Sequence, residues 1–508
     1  MSKVKADILF VHPNASAVIY QGLANNHSAI EPPIWAAMLA GSLRSVGRYV
    51  ELLDAEAERL DFASAAKRIT EINARVVCFV VYGQQPSASS QNMSGAIATA
   101  NLVREQLPES FIVFVGGHVA ALPRETLENE LALNAVCQNE GVYTLRDLLS
   151  ADLKDDAELR KVKGLAFRND EGQVELNTPS ELVAHSEMEK DLPFPAWDLL
   201  PAFSQYRTAG WHSWSNGSIK EPFAALYTTL GCPYRCAFCM INIINRTDPG
   251  KDITSEDSNL YRRWSPEFIL KQFDYFAEHG VKNVKIADEL FVLNPNHFAK
   301  VCELIIERGY DFNIWAYSRV DTCKEKYLDL LKRAGVNWLG LGIENPDNTL
   351  RREIHKDGYH DVKVVDLIKM IQSAGINVGG NYIFGLPEDT AESMSATLDF
   401  AMENLTDMAN FYSAMAYPGS PLHLKARRDG TALPTEYEGY SQHAYGTLNL
   451  ANDNLSAKDI LTFRDTAWMQ YHTNPSYLQL LETKFGVAAR EDLEATTKVK
   501  LKRKLLEA

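Results

Sequence analysis

Between residues 265 and 414 the chain repeats one phrase, and that phrase decides most of what it can fold into: a helix, a glycine stop, then a short apolar strand. Ser265 as N-cap and Pro266 in the first turn open one helix, which ends at Gly280 before a strand over 281–286. Further helices stop at Gly309, Gly335 and Gly375, ahead of strands at 313–317, 338–342 and 376–384. Another helix precedes 410–414, and the run at 224–228 completes six strands. Strands separated by helices pair in parallel through right-handed crossovers. The expected architecture is α/β, a partial (β/α)6 barrel of TIM type, with its chemistry at the carboxyl ends of the strands.

Residues 1–150 alternate strand and helix in a different way. Short continuous apolar runs at 7–11, 50–54, 76–81 and 111–115 read as buried parallel strands covered on both faces, a doubly wound Rossmann-like domain. Ligands in such sheets lie beyond the carboxyl ends of the strands. There the chain carries His12, the loop with Gln84 and Ser87, then Gly116-Gly117-His118, and Asn139-Glu140-Gly141. No G-x-G-x-x-G follows the first strand, so the crevice is not read as a dinucleotide site. Residues 151–200 form a connector with a hairpin signal at Asn169-Asp170-Glu171-Gly172, the barrel occupies 201–425, and 426–508 is a small helical cap rich in aromatic residues.

At 508 residues the chain needs two or three domains, and its 46% hydrophobic and 23% charged content is that of a globular protein. No apolar run reaches the length of a membrane span, and no signal-peptide core is present. A net charge of −15 argues against a nucleic-acid surface. The basic stretch from Lys498 to Lys504 reads as a solvated terminal helix. Isolated cysteines fit a reducing cytoplasm.

Of seven cysteines, Cys78, Cys137, Cys302 and Cys323 are scattered through apolar runs and read as core. The other three form C-x3-C-x2-C at Cys232, Cys236 and Cys239. Three thiolates can hold three irons of a [4Fe–4S] cube and leave the fourth iron open, whereas a ferredoxin closes its cluster with a fourth cysteine. A structural zinc site would want a second knuckle or matching histidines, and none is apparent.

That spacing, with Phe238 just before the third cysteine, resembles the radical S-adenosylmethionine (SAM) enzymes. The order of the first third, ending in Gly-Gly-His and Ala-Leu-Pro, looks like the cobalamin-binding domain that precedes the cluster motif in class B of that family. The resemblance implies a [4Fe–4S] cluster, SAM and cobalamin as cofactors. It implies Cys232, Cys236 and Cys239 as cluster ligands and Phe238 beside adenine. Asp288 or Glu289 would take the SAM amino group, Ser318 and Arg319 its carboxylate end, Glu344 the ribose, and Tyr382 the adenosine space. The D-x-H-x-x-G motif that supplies a cobalt ligand is absent from residues 1–150, so cobalamin is expected base-off and without a histidine on cobalt. His12 and His118 would act there through hydrogen bonds or packing. The implied activity is methyl transfer to an unactivated carbon of a small molecule, with an electron donor such as flavodoxin or ferredoxin. Rearrangement, ring contraction or oxidative cyclisation are the alternatives within the family. A methylthiotransferase would need a second cysteine triplet in residues 1–150. From another class, a cobalamin-binding sensor or carrier would have no use for the triplet.

Overall fold

The computed structural model describes residues 6–83, 88–250, 252–356 and 363–507. Gln84 and Ser87 lie outside the described residues.

The first sheet has seven strands: β1 (Ile8–His12), β2 (Val50–Asp54), β3 (Val76–Val80), β4 (Phe111–Val115), β5 (Ala135–Cys137), β6 (Leu165–Arg168) and β7 (Val174–Leu176). Their spatial order is β2-β1-β3-β4-β5-β6-β7. β1 to β5 pair in parallel, and β1, β3 and β4 are buried along their whole length, as continuous apolar runs require. The hairpin of the connector does not stand apart. β6 pairs antiparallel to β5, and β7 to β6, so the hairpin extends the sheet at one edge. The helix Ile34–Ser45 shows why it has no polar face: all its residues from Ile34 to Leu43 are buried.

The second sheet joins β8 (Phe223–Leu226), β11 (Asn283–Ile286), β12 (Asn313–Arg319), β13 (Val336–Glu344), β14 (Asn377–Phe384) and β15 (Met408–Ser413). All neighbours are parallel, in the order β8-β11-β12-β13-β14-β15, so the six strands make an open barrel whose edges β8 and β15 do not pair. Between β8 and β11 a short antiparallel pair, β9 (Thr229–Gly231) with β10 (Tyr261–Arg263), carries the chain into the cysteine loop. Gly231 sits there at φ +79°, and a Cβ at that position would lie 2.0 Å from the Leu260 carbonyl oxygen, so only glycine fits.

Segments from early and late in the described residues meet at the barrel: Ile19, Tyr20 and Leu23 line its cavity together with Trp468, Leu493 and Val499. The basic tail is not the solvated helix its composition suggests. Residues 498–503 contain no helix, and Arg503 is buried, donating through Nε and Nη2 to Asp465 at 2.9 Å each. Gln21 and Lys502 exchange a pair of hydrogen bonds at 3.1 Å that lays the tail against the N-terminal segment.

Candidate functional site

A cavity of about 920 Å³ runs through the barrel to the carboxyl ends of β1 and β3. Its wall includes Phe238 and Cys239 of the cysteine loop, Glu289, Ser318, Arg319 and Glu344 of the barrel, and His12, Tyr82 and Gly83 of the first sheet. Both sheets therefore direct their strand ends to one space, the place where α/β proteins hold ligands.

The three cysteines of the loop are half-buried and free of disulfides, whereas Cys78, Cys137, Cys302 and Cys323 are buried in the core. Burial pushes the Cys232 thiol up to about 12, and raises Cys236 and Cys239 as well. Among the described residues no three His, Cys, Asp or Glu side chains gather tightly enough to hold a single metal ion. The donor set nonetheless suits an iron–sulfur cluster: three soft thiols on one loop, each without a covalent partner, whose protons a bound metal would displace. Cationic groups stand close by. Arg319 Nη1 lies 3.9 Å from Cys236 Sγ, and Lys356 Nζ lies 5.9 Å from the Phe238 ring centre.

The loop is anchored from beneath. Cys232 donates its N–H to Asn242 Oδ1 at 3.0 Å, and Asn242 Nδ2 donates back to the Cys232 carbonyl at 2.8 Å. Asn245 Nδ2 donates to Asn242, and Arg262 Nη2 donates to Asn245 Oδ1 at 3.0 Å and to Glu140 Oε2 at 2.7 Å. Glu140 also accepts the Val183 N–H. A chain of polar contacts thus runs from the end of β5 to the first cysteine.

This placement revises several expectations. Glu140 belongs to that buried chain, and Asn139 donates to the carbonyls of Ser180 and Arg246, so neither lies on the cavity wall. Gly141 holds a φ of +82° against Val115 and Cys137. Gly116 serves close backbone approach, since a Cβ there would meet the Val81 carbonyl oxygen at 2.6 Å. Gly117 faces a second cavity of about 20 Å³ shared with Gly83 and Ser89. His118 is buried, its Nδ1 2.9 Å from Ser90 Oγ, and burial lowers its pKa to about 3. His12 does reach the large cavity, with Nε2 3.4 Å from Glu56 Oε2. Burial lowers its pKa, but the Glu56 hydrogen bond and the charges of Asp54 and Glu56 outweigh that and raise it.

Asp288 and Glu289 part company. Asp288 is buried and accepts from Thr228 and Thr229, from both backbone N–H groups and both hydroxyls, tying the turn between β8 and β9. Glu289 faces the cavity, where burial, eased by Lys285 and reinforced by Asp288, holds its pKa at about 8. Arg319 pairs with Asp321 through Nε at 2.9 Å and stacks over Tyr234, 3.8 Å from the ring centre. Ser318 also lines the cavity, and its hydroxyl donates to the Arg319 carbonyl at 3.1 Å. Glu344 takes φ +60° at the end of β13 and pairs with Lys356. Gly342 makes room for that pair, since its Cβ would lie 2.5 Å from Lys356 Nζ. Tyr382 points out of the barrel. It is fully buried and stacks on Phe411, while its neighbours Asn381 and Ile383 line the cavity, as the twofold period of a strand demands. Sequence reasoning missed Glu31, Lys285, Trp315 and Arg262, whose roles arise from partners distant in the chain, and Asn242, whose partner Cys232 lies ten positions before it.

Comparison with known proteins places these features. The family model of the B12 binding domain matches residues 20–149, and that of the Radical SAM superfamily matches residues 226–401. An uncharacterised methyltransferase of Pyrococcus horikoshii is 28% identical over 414 residues, 81% of this chain and 82% of that protein. An anaerobic magnesium-protoporphyrin IX monomethyl ester cyclase of Cereibacter sphaeroides is 25% identical over 433 residues, 83% of this chain and 63% of its own length. In fold, the chain is similar to the radical SAM methyltransferase TsrM of Kitasatospora setae, solved with tryptophan substrate and a SAM analogue, at TM-score 0.63 and 16% identity over 97% of this chain and 98% of that one.

Proposed function

This chain belongs to the cobalamin-dependent radical SAM enzymes, with a B12-binding domain ahead of a radical SAM domain, and from that premise we propose that it methylates carbon in a small molecule. The observation that carries the reading is the single cavity, onto which the cysteine loop and the strand ends of the B12-binding domain both open. When bound, the cluster with SAM supplies a radical that removes a substrate hydrogen, and cobalamin supplies the methyl group.

The chain's own residues have separable parts in this scheme. We assign Cys232, Cys236 and Cys239 to the cluster. We assign the SAM amino group to Glu289 and not to Asp288, because it alone of the two faces the cavity. Arg319 keeps Nη1 toward the cysteine loop while Asp321 fixes the other edge of its guanidinium, which suits it to neutralise a carboxylate there. Phe238 offers a ring face and adjoining backbone to adenine. Asp288 works indirectly, by holding the Thr228–Thr229 turn that leads into the loop. The wall of the B12-binding domain at His12, Tyr82 and Gly83 would take cobalamin. His118 is turned to Ser90 and does not line the large cavity, which supports cobalamin without His118 on cobalt. These roles divide the chain into a cobalamin domain over 1–150, a connector to 200, a radical SAM core to 425 and a C-terminal helical part.

The test uses SAM with a deuterated methyl group, hydroxocobalamin, a strong reductant and candidate metabolites under anaerobic conditions. A product carrying the labelled methyl, formed with 5′-deoxyadenosine and S-adenosylhomocysteine in comparable amounts, is expected. A turned-over product without label would favour ring formation or rearrangement, the reading to which the cyclase relative lends support.

A further inference from the structure

Three aromatic side chains from separate parts of the chain converge on the wall of the large cavity. Tyr412 lies on β15 opposite Ile383 of β14, and both residues line the space. Tyr20 ends the short helix Ser16–Tyr20 that follows β1, and His443 belongs to a loop of the C-terminal part. Their ring centres are 5.6 Å apart, and both line the same cavity. The surrounding backbone is tied together. Gln442 Oε1 accepts the N–H and the hydroxyl of Ser413 at 3.0 Å each, and Gln442 Nε2 donates to the Ser413 carbonyl at 2.9 Å. Gln21 Nε2 donates to the His443 carbonyl at 2.7 Å. A residue adjoining each of the three rings is therefore held, while the polar atoms of the rings themselves take no part.

Among the described residues, neither the two phenol hydroxyls nor the imidazole nitrogens of His443 have a hydrogen-bond partner. They differ from the Tyr382 hydroxyl, which has no partner but is sealed from solvent. Tyr20, Tyr412 and His443 are only half-buried, and their polar atoms are not sealed off, so a ligand in the cavity can reach them. Asn410, two residues before Tyr412 and on the same face of β15, donates Nδ2 to Asn381 Oδ1 at 2.9 Å and keeps its own Oδ1 free. Burial raises both phenols and lowers His443 to about 3, so all three groups are neutral. The charged groups that act on them are already paired: Glu31 with Lys285, Glu56 with His12, Glu344 with Lys356, and Arg464 and Arg503 with Asp465. This part of the wall offers hydrogen bonds without an unpaired charge.

A phenol and a neutral imidazole each both donate and accept, and so does an alcohol. We propose that Tyr20, Tyr412 and His443 form a substrate subsite for a neutral, polyhydroxylated ring, whose hydroxyls bond to the phenols and the imidazole and whose C–H faces lie on the aromatic rings. A carboxylate or ammonium on the ligand would bring an uncompensated charge against this wall. Glu344 acts on Tyr412 through space, which sets the subsite beside the residue expected at the SAM ribose, where a hydrogen to be abstracted has to lie. The inference deepens the proposed function and rests on its reading of this cavity as the reaction chamber. The amide side chains of cobalamin would offer similar hydrogen bonds, so the test is made with cobalamin already bound.

The experiment measures binding to anaerobic holoenzyme by equilibrium dialysis, with radiolabelled methyl β-D-glucopyranoside and methyl β-D-glucuronide as probes of one ring without and with a negative charge. The neutral glycoside should bind at least about tenfold tighter, because the carboxylate finds no unpaired cation. Tyr20→Phe and Tyr412→Phe each keep the ring and remove only a hydroxyl that the fold does not use. Each should weaken the neutral glycoside about two- to tenfold, the range of one hydrogen bond, with iron content, bound cobalamin and unfolding midpoint unchanged. Equal or tighter binding of the glucuronide would overturn the proposal, as would absence of glycoside binding at tens of millimolar or an unchanged affinity in both variants. Loss of bound cobalamin in the variants would overturn it as well, since the hydroxyls would then belong to the corrin amides. These ratios do not depend on SAM cleavage. Absence of methyl transfer with the ratios intact would refute only the assigned reaction, and methyl transfer without them would refute only the subsite.

Discussion

Replacing Glu140 by glutamine should destabilise the protein far more than its conservative chemistry suggests. The Glu140–Arg262 side chains are 1% and 2% exposed and meet at 2.7 Å. At an effective dielectric constant of 20, two unit charges at that distance attract by ~6 kcal/mol, most of which offsets the cost of having removed both from water. Glutamine keeps an acceptor for the Val183 N–H but leaves the Arg262 guanidinium buried and uncompensated. The expected loss is ~3–5 kcal/mol, the range for breaking one side of a buried pair. Glu140→Ala also gives up the Val183 bond and should lose ~1–2 kcal/mol more. Guanidinium unfolding of the anaerobic protein, followed by circular dichroism, reads both numbers. Iron content after gel filtration reads the second consequence, since Arg262 supports Asn245 and through it the Asn242–Cys232 pair. A loss below ~1 kcal/mol in Glu140→Gln, the value of a solvent-exposed pair, would refute the reasoning.

Alanine at any one of Cys232, Cys236 and Cys239 should reduce bound iron in reconstituted protein and abolish 5′-deoxyadenosine formation, while alanine at Cys323 should change neither. Asp288→Ala removes the acceptor of four hydrogen bonds and should cost ~3 kcal/mol or more, seen as an earlier unfolding midpoint and weaker cluster retention. Glu289 has its pKa raised to about 8, so the folded protein holds a proton that the unfolded chain releases above its ordinary value of 4.5. Its contribution is full below that ordinary value and is lost as pH rises through 8. The stability of Glu289→Gln relative to the unaltered SAM-free protein should therefore improve by ~2 kcal/mol or more between pH 5 and pH 8.5, and a pH-independent difference would count against it.

The sequence made the barrel legible because its signals are local. Gly280, Gly309 and Gly335 each take positive φ at a helix end, and their strands follow within a few residues. The cysteine spacing is local too. The orientation of Tyr382 was legible too: Asn381 and Ile383 alternate with it, and strand period alone turns it away from the cavity. Asp288 and Glu140 were another matter. Their partners, Thr228 and Arg262, lie 60 and 122 positions away, and nothing near either carboxylate announces a buried partner. The tail misled for a related reason. Seven residues from Lys498 to Lys504 read as a solvated helix, but Arg503 finds Asp465, 38 positions earlier, and turns inward. Gly-Gly-His at 116–118 pointed to a ligand, whereas the tight approach that requires Gly116 is to the protein's own backbone.

The tail has a consequence for how damage would spread through the molecule. Residues 498–503 are held on two sides: Lys502 exchanges hydrogen bonds with Gln21 and Val499 rests against Gly22, while Arg503 reaches Asp465. Clipping the chain before Val499 would therefore release the segment around residue 21 together with the helix that carries Asp465, and both segments contribute side chains to the cavity wall.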